Sequence, residues 1–260
     1  MFLRCLSVFG LSALLSAAAS TSKLRVCADP DNMPFSNQQK QGFENKLAEL
    51  LASKLGESVE YTWWSQRKSF VKESLDQGRC DVLIGVPTAL PSVTTTRPYY
   101  RSTYVFVSRT DRKLQLTSLE DARLKDWRIG IHVVGEDYAP PAFALARRGI
   151  TSNVVPFSLF GKYGEENPAA IIIDAVEAGE IDVAIVWGPL AGYFAKQAKV
   201  PLEVVPVSPA AFLQVPFTYD ISLGVRKGNE ALKAELEQVL NAESANVQQI
   251  LAQYGLPQVH

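Results

Sequence analysis

The chain has 260 residues, of which 47% are hydrophobic and 20% charged, an ordinary globular composition that argues against a disordered protein. The formal net charge is −1, from 26 basic and 27 acidic residues, and no block of like charge occurs, so no nucleic-acid-binding surface is expected. With two histidines and three cysteines we predict no metal centre.

The N-terminal residues have the pattern of an export signal. Arg4 precedes an apolar run from Cys5 to Ala18, and Ala17-Ala18-Ala19 fits a small-residue cleavage site. The run is shorter than the roughly 20 apolar residues that span a bilayer. We therefore predict a signal peptide over residues 1–19 rather than a membrane anchor, with no later membrane span in the exported protein.

Export changes the interpretation of the cysteines. Cys27 and Cys80 remain in the mature chain, and each lies at a predicted strand. Two cysteines in an oxidising compartment often pair, and a bridge is possible if the two strands are neighbours. We predict a disulfide between them, with two buried free thiols as the alternative.

The first part of the mature chain alternates strand and helix patterns. The predicted elements are a strand at Leu24–Ala28, an amphipathic helix from Phe43 to Leu55 ended by Gly56, an alternating strand at Val59–Trp63, a helix from Phe70 to Leu75 and a buried strand at Asp81–Gly85. This β-α-β-α-β order predicts parallel strands with helices on the faces of the sheet.

The same order then recurs. It consists of strands at Trp127–Val133, Thr151–Pro156 and Ile181–Trp187, with helices at Tyr138–Arg148 and Ala169–Ala178. The residues 75–84 and 176–185 are similar to each other, since each segment ends a helix with glycine and begins a strand with aspartate. Together these observations predict two similar α/β lobes.

Strand-like segments connect the two lobes. They lie at Thr103–Arg109, Leu202–Pro206 and Asp220–Val225, and two amphipathic helices follow to the C-terminus. We predict an α/β fold of two lobes with mixed, mainly parallel sheets joined by two hinge strands. Lobe one then comprises residues 20–107 and 220–260, lobe two comprises residues 108–219, and a ligand cleft lies between them.

Common catalytic and phosphate-binding motifs are missing. The sequence has no G-x-G-x-x-G, P-loop, G-x-S-x-G or H-E-x-x-H pattern. Paired carboxylates follow two corresponding strands, with Asp29 and Asp31 in lobe one and Glu136 and Asp137 in lobe two, so an acid–base enzyme is one hypothesis. Loop carboxylates more often cap helices or hold backbone amides, and we predict no enzyme.

Aromatic residues and arginines near the predicted strand ends are the stronger signal. They suit a flat organic ligand, through stacking and cation–π contacts, and they equally suit a protein interface. His132 is either a cleft residue or a buried structural histidine. The predicted cleft residues are Asp29, Asn32, Phe35, Trp64, Arg67, Thr88, Arg97, Tyr99, His132 and Trp187.

Several segments resemble a known protein family. Leu24–Ser36 is similar to the opening of type II periplasmic solute-binding proteins. The more specific segments are Gly42-Phe-Glu-Asn45, Tyr61-Thr-Trp-Trp64, Cys80-Asp-Val-Leu-Ile-Gly-Val-Pro87 and Thr95–Val107. They resemble the quinoprotein dehydrogenase-associated branch of that family, the MxaJ/XoxJ type, and the resemblance covers essentially the whole mature chain.

The sequence departs from the amino-acid-binding members of the wider family. Those members carry an arginine after a threonine pair, which grips the ligand carboxylate, and an aspartate after the last strand of lobe two, which pairs with the ligand amine. Here the stretch Pro87–Thr96 has no arginine, and Trp187 stands near the position of the aspartate. Because a buried charge without a partner is costly, we expect poor binding of free amino acids.

The resemblance implies a function as well as a fold. It implies a periplasmic location and association with a periplasmic alcohol dehydrogenase that carries pyrroloquinoline quinone (PQQ). We therefore predict a monomeric accessory factor, with no cofactor of its own, that assists the assembly or activation of a PQQ-dependent, methanol-type alcohol dehydrogenase. The alternative is a solute-binding receptor of an ABC transporter for a small aromatic or quinone-like ligand.

Overall fold

The computed structural model describes residues 22–66, 69–134, 136–160, 167–257 and 259. The predicted signal peptide at residues 1–19 and the predicted cleft residue Arg67 lie outside these ranges. Of the helices within them, none is long and apolar enough to cross a membrane.

Helices and strands alternate along most of the described chain. The helices are α1 (Phe43–Leu55), α2 (Phe70–Glu73), α3 (Pro140–Arg147), α4 (Ile171–Ala178), α5 (Gly188–Ala195), α6 (Glu230–Ala242) and α7 (Ser244–Gln253). The longer strands are β1 (Lys23–Ala28), β4 (Ser58–Trp63), β5 (Val82–Pro87), β7 (Tyr100–Arg109), β8 (Ile129–Val134), β10 (Val154–Ser158), β11 (Val183–Trp187), β12 (Leu202–Pro206) and β15 (Thr218–Val225). Short two-residue strands are β2 (Asp31–Asn32), β3 (Ser36–Asn37), β6 (Thr94–Thr95), β9 (Asp137–Tyr138), β13 (Ala211–Phe212) and β14 (Val215–Pro216).

One continuous mixed sheet of eleven described strands runs through the molecule. Its main order is β10-β8-β11-β7-β15-β5-β1-β4, and β12, β6 and β9 pair with β7, β15 and β8. We call the half that contains β1, β4 and β5 lobe one and the half that contains β8, β10 and β11 lobe two. Within each lobe these strands are parallel, as expected for strands that helices connect. The predicted α/β fold with a mixed sheet is confirmed.

Two antiparallel strands, β7 and β15, pass from one lobe to the other. The first residues of β7 pair with β15, in the register Thr103 opposite Thr218 and Tyr100 opposite Ile221. From Tyr104 onward, β7 pairs with β11 and β12 of lobe two. The later residues of β15 pair with β5 of lobe one. The exact division of the chain at residues 107 and 220 stays a prediction.

The core of lobe one is built by helix α1 and the two C-terminal helices. Helix α1 buries one face, which includes Leu47 and Leu51, and it ends at Gly56 in the left-handed conformation. Leu236 of α6 and Leu251 of α7 belong to the same buried cluster. The chain thus returns to lobe one after it has built lobe two.

Lobe two buries both faces of its half of the sheet. Successive residues of β7 point to opposite faces, so Phe106 packs on the side of α3 while Val105 and Val107 pack on the side of α4 and α5. Helices on both faces explain why the strands of this lobe are nearly continuous apolar runs.

Helix α5 is absent from the sequence prediction, and α2 is shorter than predicted. The stretch Gly188-Pro-Leu-Ala-Gly192 has the composition of a turn. Proline nevertheless fits the first turn of a helix, because backbone nitrogens there have no carbonyl partner within the helix. Gly192 allows α5 to approach the C-terminal segment, because a Cβ there would lie 2.0 Å from the Gly255 carbonyl oxygen. A contact distant in sequence therefore determines this helix.

The predicted disulfide between Cys27 and Cys80 is confirmed. Strands β1 and β5 are neighbours, with Cys27 opposite Leu83, and the two cysteine Cα atoms lie 5.4 Å apart. The bridge is buried in a small apolar cluster that includes Phe70 and Leu75. It ties together two strands separated by 53 residues of chain.

Loss of the disulfide should destabilise the protein strongly. The double variant Cys27→Ala/Cys80→Ala is expected to lose about 4 kcal/mol of unfolding free energy, because the unfolded chain regains the entropy of a long open loop. Equilibrium urea unfolding of the variant and the oxidised wild type measures this loss. A loss below about 1 kcal/mol would show that the bridge adds little to the packing around it.

Candidate functional site

A cavity of about 400 Å³ lies between the two lobes, where both hinge strands cross. This volume is within the range of small-molecule sites in proteins. Aromatic rings dominate its wall, together with one acidic side chain and two amide side chains. The lining residues are Asn32, Phe35, Glu44, Gln66, Gly85, Pro87, Tyr100, Tyr104, Leu159, Phe160, Trp187, Leu190, Tyr219 and Ile221.

The hinge strands supply one side of the cavity. Tyr100 and Tyr104 are four residues apart on β7 and therefore point to the same face of the sheet. Trp187 ends β11 directly opposite Tyr104, and the two ring centroids are 5.5 Å apart at 61°. The Tyr219 ring of β15 lies 5.8 Å from that of Trp187 at 73°. Side chains from both hinge strands and from lobe two thus form one aromatic group.

The loop after β1 supplies the facing side. The backbone N–H of Glu44 donates to the Phe35 carbonyl at 2.9 Å, which fixes the loop against the start of α1. The Asn32 amide donates to the Gln66 side-chain oxygen at 2.8 Å. Asp29 is buried behind them and accepts from the backbone N–H of Gln66 at 2.6 Å and of Asp31 at 2.9 Å. Asp29 therefore holds the loop in shape.

Glu44 is the one acidic side chain of the wall among the described residues. Protein surrounds its carboxyl group on most sides, and burial, with the nearby carboxyl of Asp29 as a smaller cause, raises its pKa well above the ordinary value. The group lies against Gly85, where an added Cβ would be 2.0 Å from Oε1 of Glu44. Gly85 also has a left-handed φ of +79°, so glycine is favoured there twice over.

Three of the predicted cleft residues line this cavity, namely Asn32, Phe35 and Trp187. Asp29 supports it from behind. Thr88 follows Pro87 of the wall, and its hydroxyl lies 2.7 Å from that of Ser222, so it ties β5 to β15.

The other predicted residues lie elsewhere. Arg97 and Tyr99 line a separate cavity of about 140 Å³ beside α6 and α7, where the backbone N–H of Arg97 donates to Glu237. Trp64 lies on another surface, with the Arg79 guanidinium 4.9 Å from its ring. Tyr99 precedes Tyr100, and one step along a strand moves a side chain to the opposite face.

His132 is a structural residue of lobe two. It is 4% exposed and lies against the Pro168–Ala170 turn, whose Ala169 backbone is its hydrogen-bond partner. Burial lowers its pKa to about 4, so the ring is neutral at neutral pH. Its place in the core agrees with the structural alternative.

The carboxylates of the enzyme hypothesis do not meet in the cavity. Glu136 and Asp137 are both exposed near the short strand β9. The sequence prediction also lacks Glu44, Gln66, Tyr100, Tyr104 and Tyr219. The sequence signal that could have indicated Glu44 is its place in the segment Gly42-Phe-Glu-Asn45, which resembles the family. In the structure both of its neighbours, Phe43 and Asn45, are buried.

Two α/β lobes, two crossing strands and an open cleft between them are the features of the type II periplasmic binding protein fold. The chain belongs to the bacterial extracellular solute-binding proteins, family 3, whose sequence profile matches residues 24–257. The resemblance found in the sequence is therefore confirmed.

Named proteins of other bacteria are similar to this chain. The chain is 30% identical to Protein MoxJ of Methylorubrum extorquens over 256 residues, which is 93% of this chain and 83% of that protein. The crystal structure of periplasmic binding protein XoxJ from Methylobacterium extorquens AM1 is 36% identical, with a TM-score of 0.76 over 91% of this chain and 99% of that one. The structure of MxaJ from Methlophaga aminisulfidivorans MPT is 28% identical, with a TM-score of 0.77 over 91% and 100%.

A pair of glycine variants tests the contact between Glu44 and Gly85. Gly85→Ala and Gly56→Ala both place alanine at a left-handed φ, which costs roughly 1–2 kcal/mol. No atom lies within 4 Å of a Cβ at Gly56, so only Gly85→Ala also displaces the Glu44 carboxyl. Urea unfolding should show a clearly larger loss for Gly85→Ala, and equal losses would contradict the close contact.

Proposed function

We propose that the protein is a non-catalytic periplasmic accessory factor that associates with a PQQ-dependent, methanol-type alcohol dehydrogenase and assists its assembly or activation. The observation that carries this proposal is the likeness to the MoxJ, XoxJ and MxaJ proteins, which covers more than nine-tenths of the chain. The sequence segments that resemble the dehydrogenase-associated branch support the same partner.

The chemistry of the cavity argues against an ordinary amino-acid receptor. A free amino acid brings a carboxylate into the cleft, and a binding site normally meets it with arginine. No lysine or arginine is among the described residues of the wall, so none of them meets that carboxylate. Trp187 stands where such receptors place an aspartate for the ligand amine. Both of the usual charge contacts are therefore missing.

The arrangement also argues against an enzyme. The cavity wall holds one carboxyl group and no histidine or cysteine among the described residues. General acid–base catalysis usually needs two groups whose pKa values lie on either side of the working pH. Glu44 has no second carboxyl group, histidine or cysteine beside it among the described residues of the wall, and this supports a binding role.

The second candidate function is a solute receptor of an ABC transporter. The aromatic cavity between the lobes favours it, since a cleft of this volume suits a small ligand. A receptor would contact a permease rather than a dehydrogenase, so the partner distinguishes the two functions.

A surface of lobe two supports the association with a protein. We call the surface formed by Tyr138, Phe143, Phe212 and Leu213 the lobe-two apolar face. Tyr138 is 55% exposed and Leu213 is 67% exposed, and a groove of about 380 Å³ opens beside α3. Exposed apolar side chains of this kind mark interaction sites, and the adjacent, exposed Arg147 favours an acidic partner surface. We assign this face to the dehydrogenase.

Cross-linking in the native periplasm tests the proposed function. The tagged protein is cross-linked in the source cells, purified under denaturing conditions, and its partners are identified by mass spectrometry. We expect a PQQ-dependent alcohol dehydrogenase among the dominant partners. A membrane permease without any dehydrogenase would contradict the accessory role and support the receptor.

Substitutions on the lobe-two apolar face test where the dehydrogenase binds. Phe143→Asp/Leu213→Asp should lower the yield of cross-linked dehydrogenase at least tenfold, because buried apolar anchors contribute most of the binding energy of an interface. Ile171→Asp is the matched control, since Ile171 is 41% exposed on α4, on the other face of the lobe-two sheet. Equal yields from both variants would place the interface elsewhere.

A further inference from the structure

Three aromatic rings of the cavity wall lie close together and are inclined to one another. Trp187 is inclined to both Tyr104 and Tyr219 at more than 60°, with ring centroids less than 6 Å apart. Rings inclined in this way do not stack flat on one another, and each presents an edge or a face to its neighbour. The face of an aromatic ring carries partial negative charge and attracts a cation.

The opposite wall carries the charge that would complete such a site. No hydrogen-bond donor of the described residues pairs with the Glu44 carboxyl, and no lysine or arginine of those residues lines the cavity. An ionised carboxylate in this position is costly unless a cation joins it. The wall therefore combines negative ring faces with an acidic group that has no counter-ion from the chain.

We infer that the cavity binds a small alkylated ammonium ion, with its charge between the Glu44 carboxylate and the rings of Tyr104, Trp187 and Tyr219. A metal ion fits poorly, because the described residues contain no group of three or more His, Cys, Asp or Glu side chains that could hold one. Neither an anion nor a neutral ligand would offset the charge of an ionised Glu44, whereas a cation would. This inference does not depend on association with a dehydrogenase.

Proton release should accompany binding. Glu44 must be ionised to pair with the cation, and its pKa in the empty cavity is raised. The titratable groups near Glu44 are Asp29 behind the loop, Tyr61 of β4, Tyr100 at the start of β7, and Tyr99, which precedes β7 and lines the separate cavity beside α6 and α7. Burial raises the pKa of each of these tyrosines, so their phenols stay neutral near pH 7. Affinity should therefore rise with pH as Glu44 ionises.

Calorimetric titration of the mature protein with choline tests the inference. The control ligand is 3,3-dimethyl-1-butanol, which has the same shape as choline without the charge. We expect choline to bind at pH 8 at least tenfold more tightly than the alcohol. Equal affinity for the two ligands, or no binding of choline up to 10 mM, would overturn the inference.

Variants of helix α1 separate the charge from the fold. Glu44→Gln should weaken choline binding at least tenfold and remove its pH dependence, while Trp187→Ala should weaken binding at every pH. Glu49→Gln is the matched control, since Glu49 lies on the exposed face of the same helix, and it should bind as the wild type does. Thermal unfolding verifies that each variant is folded. Unchanged choline affinity in folded Glu44→Gln would contradict the role of the carboxylate.

Discussion

The antiparallel pairing of β7 with β15 is the constraint on which the rest of the structure depends. Each strand begins in one lobe and ends in the other, and their shared register sets Thr103 opposite Thr218. Strand β7 continues into lobe two, where its pairing with β11 sets Tyr104 opposite Trp187, and Tyr219 of β15 lies beside Trp187. The aromatic side of the cavity thus follows from the pairings that β7 makes with β15 and with β11.

The chemistry of the cavity depends on a second, smaller constraint at Gly85. A left-handed glycine without a Cβ leaves room for the Glu44 carboxyl at the start of α1. Lobe one therefore contributes an acidic wall, while the hinge strands contribute rings, and no basic side chain of the described wall neutralises the acid. The described wall therefore offers no basic partner to a ligand carboxylate, although the scaffold is the one that solute-binding proteins use.

The sequence predicted most of the fold because local signals carried it. The glycine after Leu55, the alternation of Val59, Tyr61 and Trp63, and the repeated strand–helix order each have a local cause, and the Cys27–Cys80 bridge followed from two neighbouring strands. The site was harder to predict. Phe35 and Trp187 stand at ends of elements that the pattern locates, whereas Tyr100 differs from the chosen Tyr99 only by strand face. Glu44 acquires its place through Gly85, 41 residues away in sequence, and no local pattern reports such a contact.

The proposed accessory role would make the protein a determinant of another protein's activity, so the partner is where its effect should be measured. The most direct measurement compares the PQQ-dependent alcohol dehydrogenase purified from source cells with and without this protein, by activity per mole of polypeptide and by PQQ content. The account predicts lower values in cells that lack the protein, restored when the wild-type chain is supplied again. Full activity and full PQQ content in its absence would contradict a role in assembly or activation.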